Sequence, residues 1–351
     1  MTEVAVIGAG NSGLAMAAHL ALAGNKVRLW NRTLEKIEPL IRHPYIEAAG
    51  VLEGKARIDL VTDDIGETIG GVPVILVTTP ANSHPDIARL LAPHVVHETL
   101  VVLNPGRTFG AVDFYLKLKS YGCKVEPLIA ETQTSVHTCR KTSFNQVNVL
   151  AIKQDVYIST LNPRLNRRVV ELLPECLKKY FVPASSMIQT SLGNVGMILH
   201  CAPLLLNTGW VENPHIKFLH YCEGITPSVA RFLEKLDAER IEVAERFGWS
   251  LESTAEWVKR VYGVKGNNLY ECVNNNPAYY AIEAPKSLRH RYIFEDISCG
   301  LVPLEAVGRD LGCPMNICGL VIDLADALLD MNFRKEGRTV KADVIFTFLR
   351  L

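Results

Sequence analysis

Six residues, Gly8-Ala9-Gly10-Asn11-Ser12-Gly13, constrain this chain more than any other segment. They follow a short apolar stretch ending at Ile7 and open a helical pattern over residues 12–23. In such a turn the first glycine permits the tight bend. The second leaves the backbone bare for an approaching anion, and the third lets helix and strand pack closely. The helix N-terminus adds free N–H groups and a partial positive charge. The arrangement predicts a dinucleotide pyrophosphate at Gly8, Gly10, Asn11, Ser12 and Gly13. The motif alone is common; its place in a strand–turn–helix–strand unit beginning at residue 3 makes it specific.

The same alternation continues downstream. Residues 27–31, 74–78, 100–104 and 125–130 read as strands, apolar nearly throughout, as strands covered on both faces must be. Residues 85–92 and 109–120 repeat apolar positions at helical spacing. Strand–helix alternation of this kind predicts a doubly wound parallel sheet of the Rossmann type. Residues 147–152 and 156–159 are expected to extend that sheet, ahead of a helix over 164–179. Beyond Val182 helical patterns dominate, over 186–206, 227–247, 251–262, 303–311 and 315–328. The expected fold is α/β: a Rossmann domain over residues 1–183, then an all-α domain over 184–351. The boundary falls near Pro183, where Ala184-Ser185-Ser186 is placed to cap a long helix.

Composition narrows the function. The chain has 351 residues with 37 basic against 37 acidic side chains, so no global field exists to hold a polyanion. A nucleic-acid or membrane-surface protein would show a basic excess. The longest apolar run, 195–206, is interrupted by His200 and Pro203, too early to span a bilayer. Nine cysteines lie scattered without a CxxC pair or zinc-ligand spacing, which predicts reduced thiols and no metal site. With no basic region at the N-terminus, a cytoplasmic location is expected. Exposed apolar segments in the helical half are compatible with a homodimer.

The second strand ends in Trp30-Asn31-Arg32-Thr33. An NAD-specific site would carry Asp or Glu there for the ribose 2′-hydroxyl. Without that acid, Arg32 is expected to stack on the adenine and pair with a 2′-phosphate, with Asn31 and Thr33 adding hydrogen bonds. NADP(H) is therefore expected over NAD(H). Thr79-Pro80-Ala81-Asn82 and Asn104-Pro105-Gly106 fall at carboxyl ends of strands, where ligands bind in open α/β sheets. Pro80 is placed at the nicotinamide half; ordinary turn chemistry is the alternative for any single residue there.

A nicotinamide enzyme also needs a group to carry the proton that accompanies the hydride. His200 stands out because it interrupts an apolar helical run at the start of the second domain, where a cleft is expected. The alternative is a satisfied core histidine. His43, His84, His94, His97, His215 and His220 read as loop or surface residues. Arg291 and Asp296 are five apart, so they share one site only if the segment is irregular or bent. Arg291 would then clamp a carboxylate and Asp296 would orient a histidine. A surface ion pair is the competing reading.

Taken together, GAGNSG, ETQTSVHTCR at 131–140, NVGMILHCAPLLLNTG at 194–209, RYIFED at 291–296 and EGRT at 336–339 resemble the opine dehydrogenase (octopine/nopaline dehydrogenase) family over nearly the whole chain. The resemblance implies NAD(P)H-dependent reductive condensation of an amino acid with an α-keto acid, commonly pyruvate, through an imine. It implies His200 as general acid/base, Asp296 as its partner, Arg291 as anchor of the keto-acid carboxylate, and Thr132 near the substrate. One departure is Cys201, where the family usually has proline after the histidine. The rival readings are a glycerol-3-phosphate or 2-hydroxyacid dehydrogenase, and a non-catalytic NADP-binding sensor.

Overall fold

The computed structural model describes residues 2–350; the end residues of the two expected domains, 1 and 351, lie outside them. The chain divides into two compact units, Met1–Ser191 with Phe348–Leu351, and Leu192–Thr347.

The first unit is built on apolar strands. β1 (Glu3–Ile7), β2 (Lys26–Trp30), β3 (Tyr45–Gly50), β4 (Gly54–Arg57), β5 (Leu60–Thr62), β6 (Val74–Val77), β7 (Leu100–Leu103), β8 (Leu128–Thr132), β9 (His137–Ser143), β10 (Gln146–Ile152), β11 (Val156–Thr160) and β12 (Phe181–Pro183) form two sheets. Among the described residues the larger has eight strands in the order β12-β11-β8-β7-β6-β1-β2-β5. β6 and β7, VILV and LVVL, are buried at every position, so no polar alternation survives in them. The order reverses between β1 and β6, which makes their carboxyl ends the switch point where ligands bind in such sheets.

Two expectations about this unit are corrected. The sheet is not wholly parallel, because β11 runs antiparallel to β8. Residues 147–152 do not extend it: β10 joins a second, four-stranded sheet in the order β4-β3-β10-β9. That sheet covers the outer side of helix Asn11–Leu22, whose residues Gly13 to Leu20 are all buried. A helix apolar on every side requires a layer on each side. The strand expected over 125–130 lies at Leu128–Thr132, and the helix expected over 164–179 breaks at Pro174 into Asn166–Leu172 and Glu175–Lys178.

The second unit is helical. Its longest helix, Pro227–Arg246, starts at Thr226, whose hydroxyl accepts from Val229 N–H, with proline at the first helical position. Arg240 and Asp237 are buried on its inner face. The guanidinium donates to Asp237 at 2.8 Å and to the carbonyls of Leu192 and Glu252, while Thr254 donates to the carboxylate. The single helix expected over 186–206 is instead three: Met187–Ser191, Gly196–Leu199 and Cys201–Leu206. Gly193-Asn194 interrupts the first break, with Asn194 Oδ1 accepting from Gly196 N–H. The first of the three lies with the sheet unit, since Thr190 and Ser191 both donate to buried Glu131 at the end of β8.

Where the small sheet meets helix Asn11–Leu22, His19 Nδ1 and His137 Nε2 lie 3.0 Å apart, with Tyr180 edge-on to His19. Burial, aided by His19 and Lys153, lowers His137 from 6.5 to about 3; burial and Lys179 also lower His19. Folding thus favours neutral imidazoles, whereas the unfolded chain takes up protons below about pH 6.5. The stability they contribute is complete above that pH and is lost as pH falls towards the folded values. Between about pH 7.5 and about pH 5, His137 alone should remove about 2 kcal/mol of stability. Urea unfolding at both pH values should show this loss in the wild type and a smaller one in His137→Gln. Equal losses would assign the acid sensitivity elsewhere.

Candidate active site

The glycine turn is fixed by close packing. Gly8 has φ +108°, and a Cβ there would lie 2.8 Å from Thr79 Cγ2. At Gly13 an added Cβ would lie 1.7 Å from the Gly8 carbonyl oxygen, so helix and strand meet this closely only because Gly13 has no side chain. Gly10 differs: a Cβ there would meet no protein atom within 4 Å. Thr78 donates its hydroxyl to the Ile7 carbonyl at 2.9 Å and braces the turn from β6.

The side chains expected around the cofactor are engaged in holding this turn. Asn11 Oδ1 accepts the Lys141 N–H at 2.8 Å, and Ser12 Oγ lies 3.3 Å from Ser135 Oγ. Asn31 Oδ1 accepts the Ala9 N–H at 3.2 Å, and its amide donates to the Thr33 carbonyl, so both ends of Asn31 tie the tip of β2 to the turn. Arg32 is exposed and paired with Asp86 at 3.1 Å. Pro80 is exposed at the end of β6, its carbonyl accepting from Ser83. Thr132 is buried at the end of β8, its hydroxyl 3.1 Å from Asn104 Oδ1 and 3.0 Å from the Thr134 carbonyl.

In the helical unit His200 and Asp296 come together across 96 residues of sequence. His200 Nδ1 lies 2.8 Å from Asp296 Oδ2, and the Asp296 side chain is 1% exposed. A carboxylate accepts, so Nδ1 carries the proton and Nε2 faces outward from the pair. The imidazole stacks on Tyr292 with ring centres 4.1 Å apart and planes within 7°. The Arg291 guanidinium lies 5.1 Å from the same ring and reaches Glu295 at 3.4 Å, with 48% of its side chain exposed. The segment has the irregularity that a five-residue spacing requires: helix Arg291–Phe294 gives way to a π-helical turn, Ile297–Leu301. Turns of this kind widen the helix by one residue and recur at functional sites. Among the described residues no group of three or more His, Cys, Asp or Glu is placed to hold a metal, and no helix is long and apolar enough to cross a membrane.

The break at His200 has a cause in the sequence. In a continuous helix the Leu199 carbonyl would accept from residue 203, but Pro203 has no N–H. His220 Nε2 fills the position, donating to Leu199 O at 3.0 Å. His220 is therefore buried, not the surface residue the sequence suggests, and so is His84, whose ring packs edge-on against Phe114. Burial, aided by His200, lowers His220 from 6.5 to about 4 and keeps it neutral. Tyr292 and His220 were invisible as site residues because their roles depend on contacts distant in sequence. Pro203 four residues after Leu199 marked the orphaned carbonyl, though not its donor.

A family model described as the NAD/NADP octopine/nopaline dehydrogenase alpha-helical domain matches residues 183–329. Another, the NAD-dependent glycerol-3-phosphate dehydrogenase N-terminus, matches residues 3–105. Opine dehydrogenase of Arthrobacter sp. (strain 1C) is 40% identical over 338 residues, 96% of this chain and 93% of that protein. The chain belongs to the opine dehydrogenase family. Two solved structures share its fold. Octopine dehydrogenase with NADH and pyruvate has a TM-score of 0.76 and 20% identity over 93% of this chain and 89% of that one. Yersinopine dehydrogenase with NADP+ has a TM-score of 0.80 and 14% identity over 100% and 99%. As an opine dehydrogenase the protein is an NAD(P)-dependent oxidoreductase acting on a CH–NH bond, which joins an amino acid to an α-keto acid reductively.

The Leu199 carbonyl gives a direct test of how this opine dehydrogenase shapes the turn at His200. His220→Phe leaves the carbonyl buried without its donor and should cost about 1–3 kcal/mol in urea unfolding. His220→Gln, which places an amide N–H near the same point, should recover most of that. Equal destabilisation by both would mean that ring packing, and not the hydrogen bond, holds the turn.

Proposed function

We propose that this opine dehydrogenase joins an amino acid to pyruvate with NADPH, using His200 as general acid/base, Asp296 as its positioning partner and Arg291 as the keto-acid anchor. The observation that carries the catalytic assignment is the 2.8 Å bond between His200 and buried Asp296. It commits Nδ1 to the carboxylate, so Nε2 is the nitrogen assigned to proton exchange with substrate.

The balance of the reaction sets what these residues must do. Amine and keto acid first lose water to form an imine; reduction of the imine consumes a hydride and a proton and leaves a secondary amine dicarboxylate. Bound NADPH supplies the hydride. Protonated His200 delivers a proton from Nε2 to the departing hydroxyl or to the developing amine, and neutral His200 recovers it in the oxidative direction. Asp296 stabilises the imidazolium and keeps the ring in one orientation, with Tyr292 stacked beneath it. Arg291, held by one contact to Glu295, retains donors for a carboxylate. Thr132 has its hydroxyl proton directed at protein acceptors, so towards substrate it accepts rather than donates.

The glycine turn fits a dinucleotide. Packing explains Gly13 but not Gly10, whose missing side chain is accounted for by a pyrophosphate lying against the backbone. Helix Asn11–Leu22 has no side-chain cap and no acid in its first turn, so its N–H groups are left for phosphate. Asn11 and Ser12 belong to the same turn, Asn31 and Thr33 are assigned to the 2′-phosphate side, and Pro80 to the nicotinamide half. The absence of an acid at Asn31 and the presence of Arg32 favour NADPH over NADH.

NADPH and NADH oxidation with pyruvate, alone and with each common amino acid, tests the reading. Oxidation requiring both substrates, faster with NADPH, is expected; oxidation with keto acid alone would identify a hydroxyacid dehydrogenase. His200→Ala should lower kcat by about 10²–10⁴-fold with NADPH affinity retained. Arg291→Met should raise the pyruvate KM without altering NADPH binding. Weaker NADPH binding with unchanged turnover in either variant would refute its assigned role.

A further inference from the structure

Lys141 lies on β9 of the small sheet, yet it reaches the glycine turn at the N-terminus of helix Asn11–Leu22. Its main-chain N–H donates to Asn11 Oδ1 at 2.8 Å, and its ammonium donates to the Ala9 carbonyl at 3.3 Å. The N–H of that same Ala9 is held by Asn31 at the tip of β2. One residue of the turn therefore touches both the lysine and the strand tip where a dinucleotide's adenosine ribose lies. Lys36 closes the one-turn helix Leu34–Lys36 that follows this tip.

Charge at this corner is unbalanced. Among the described residues neither Lys36 nor Lys141 has a carboxylate within ion-pair distance, whereas Arg32 is paired with Asp86 and its side chain is 67% exposed. Lys141 is half-buried, and burial together with Lys36 lowers its pKa. A half-buried ammonium with only a neutral carbonyl as partner is poorly compensated by the protein itself. A dianion placed beside Lys141 would compensate it.

We propose that Lys141, assisted by Lys36, receives the 2′-phosphate of the cofactor's adenosine and is the main determinant of its choice. The proposal rests on the NADPH preference argued above and moves the decisive charge from Arg32 to a strand outside the nucleotide-binding sheet. Lysine suits the task because a point charge on a flexible stem follows a phosphate monoester from a strand that does not otherwise contact the nucleotide.

Calorimetric titration of the full-length protein with 2′,5′-ADP and with 5′-AMP tests it without catalysis. The wild type should bind 2′,5′-ADP more tightly than 5′-AMP. Lys141→Met should weaken 2′,5′-ADP by about 10- to 100-fold, the range of a lost charge-assisted hydrogen bond, and leave 5′-AMP within about twofold. Lys36→Met should have a smaller effect of the same kind. If the wild type prefers 2′,5′-ADP and Lys141→Met keeps that preference while Arg32→Met loses it, the cofactor reading stands and the role of Lys141 is overturned. Equal weakening of both ligands by Lys141→Met would make the lysine a tether of the turn and overturn the proposal. A wild type that does not distinguish the two ligands would remove the NADPH preference and this inference together.

Discussion

Helix Asn11–Leu22 is pressed so closely onto β1 that no side chain fits at Gly13, and the architecture of the first unit follows from that contact. Close approach brings the helix N-terminus to the switch point between β1 and β6, where its free N–H groups face the carboxyl ends of the strands. It also leaves the helix with no solvent face. Leu14, Ala15, Met16, Ala17, Ala18 and Leu20 are all buried, so the outer side needs its own cover. The small sheet supplies it, and His19 with His137 forms the polar join between helix and cover. The same cover brings Lys141 over the turn. A contact set by one missing Cβ thus fixes the helix N-terminus against the glycine turn, where Lys141 of the small sheet also reaches it.

A second constraint of the same kind shapes the helical unit. Pro203 withdraws the donor that Leu199 would use, the helix breaks, and His200 sits in the break with φ −107° and ψ −67°. A histidine inside a regular apolar helix would have its ring among core residues. At a break it can turn towards Asp296, which a π-helical turn presents from the opposite segment. His220 stabilises the break without adding charge, since burial keeps its imidazole neutral. Two departures from regular helix therefore create the pair, one from a proline and one from an extra residue in a turn.

These irregularities explain what was legible in the sequence. The strands β1, β2, β6 and β7 and the helices beside them were readable because their burial on both faces leaves unbroken apolar runs. The pairing of His200 with Asp296 followed from family resemblance; the five-residue spacing of Arg291 and Asp296 requires a bent or irregular segment if both serve one site, and the segment is irregular. The small sheet was not foreseen, although helix Asn11–Leu22 signalled a second covering layer by having no polar side. β9 and β3 alternate exposed positions with less exposed ones, so neither has an unbroken apolar run, and β10, expected to extend the large sheet with β11, pairs with β3 and β9 instead. The breaks within 186–206 were masked by a continuous helical apolar period; only Gly193 and Pro203 marked them. His84 and His220 were misplaced because burial of a lone polar residue is decided by partners remote in sequence.

Glu131 shows why a conspicuous polar segment need not touch substrate. It opens the ETQTS stretch and lies buried at the end of β8, a position that would be costly for a carboxylate without donors. Its two oxygens accept from the Thr190 and Ser191 hydroxyls and from the Ala111 N–H at 2.8 Å. A Cβ at Gly106 would lie 2.5 Å from the same carboxylate, so the turn after β7 must carry glycine to admit it. Glu131 thereby joins the helix Gly110–Ser120, the turn after β7 and the helix Met187–Ser191 at the strand ends where the cofactor's reactive half is expected. The neighbouring Thr132 hydroxyl is directed inward to Asn104 in the same network. The polar character of this stretch is accounted for by holding strand ends in place, and the proposed chemistry is assigned elsewhere, to His200 with its partner Asp296 and to Arg291.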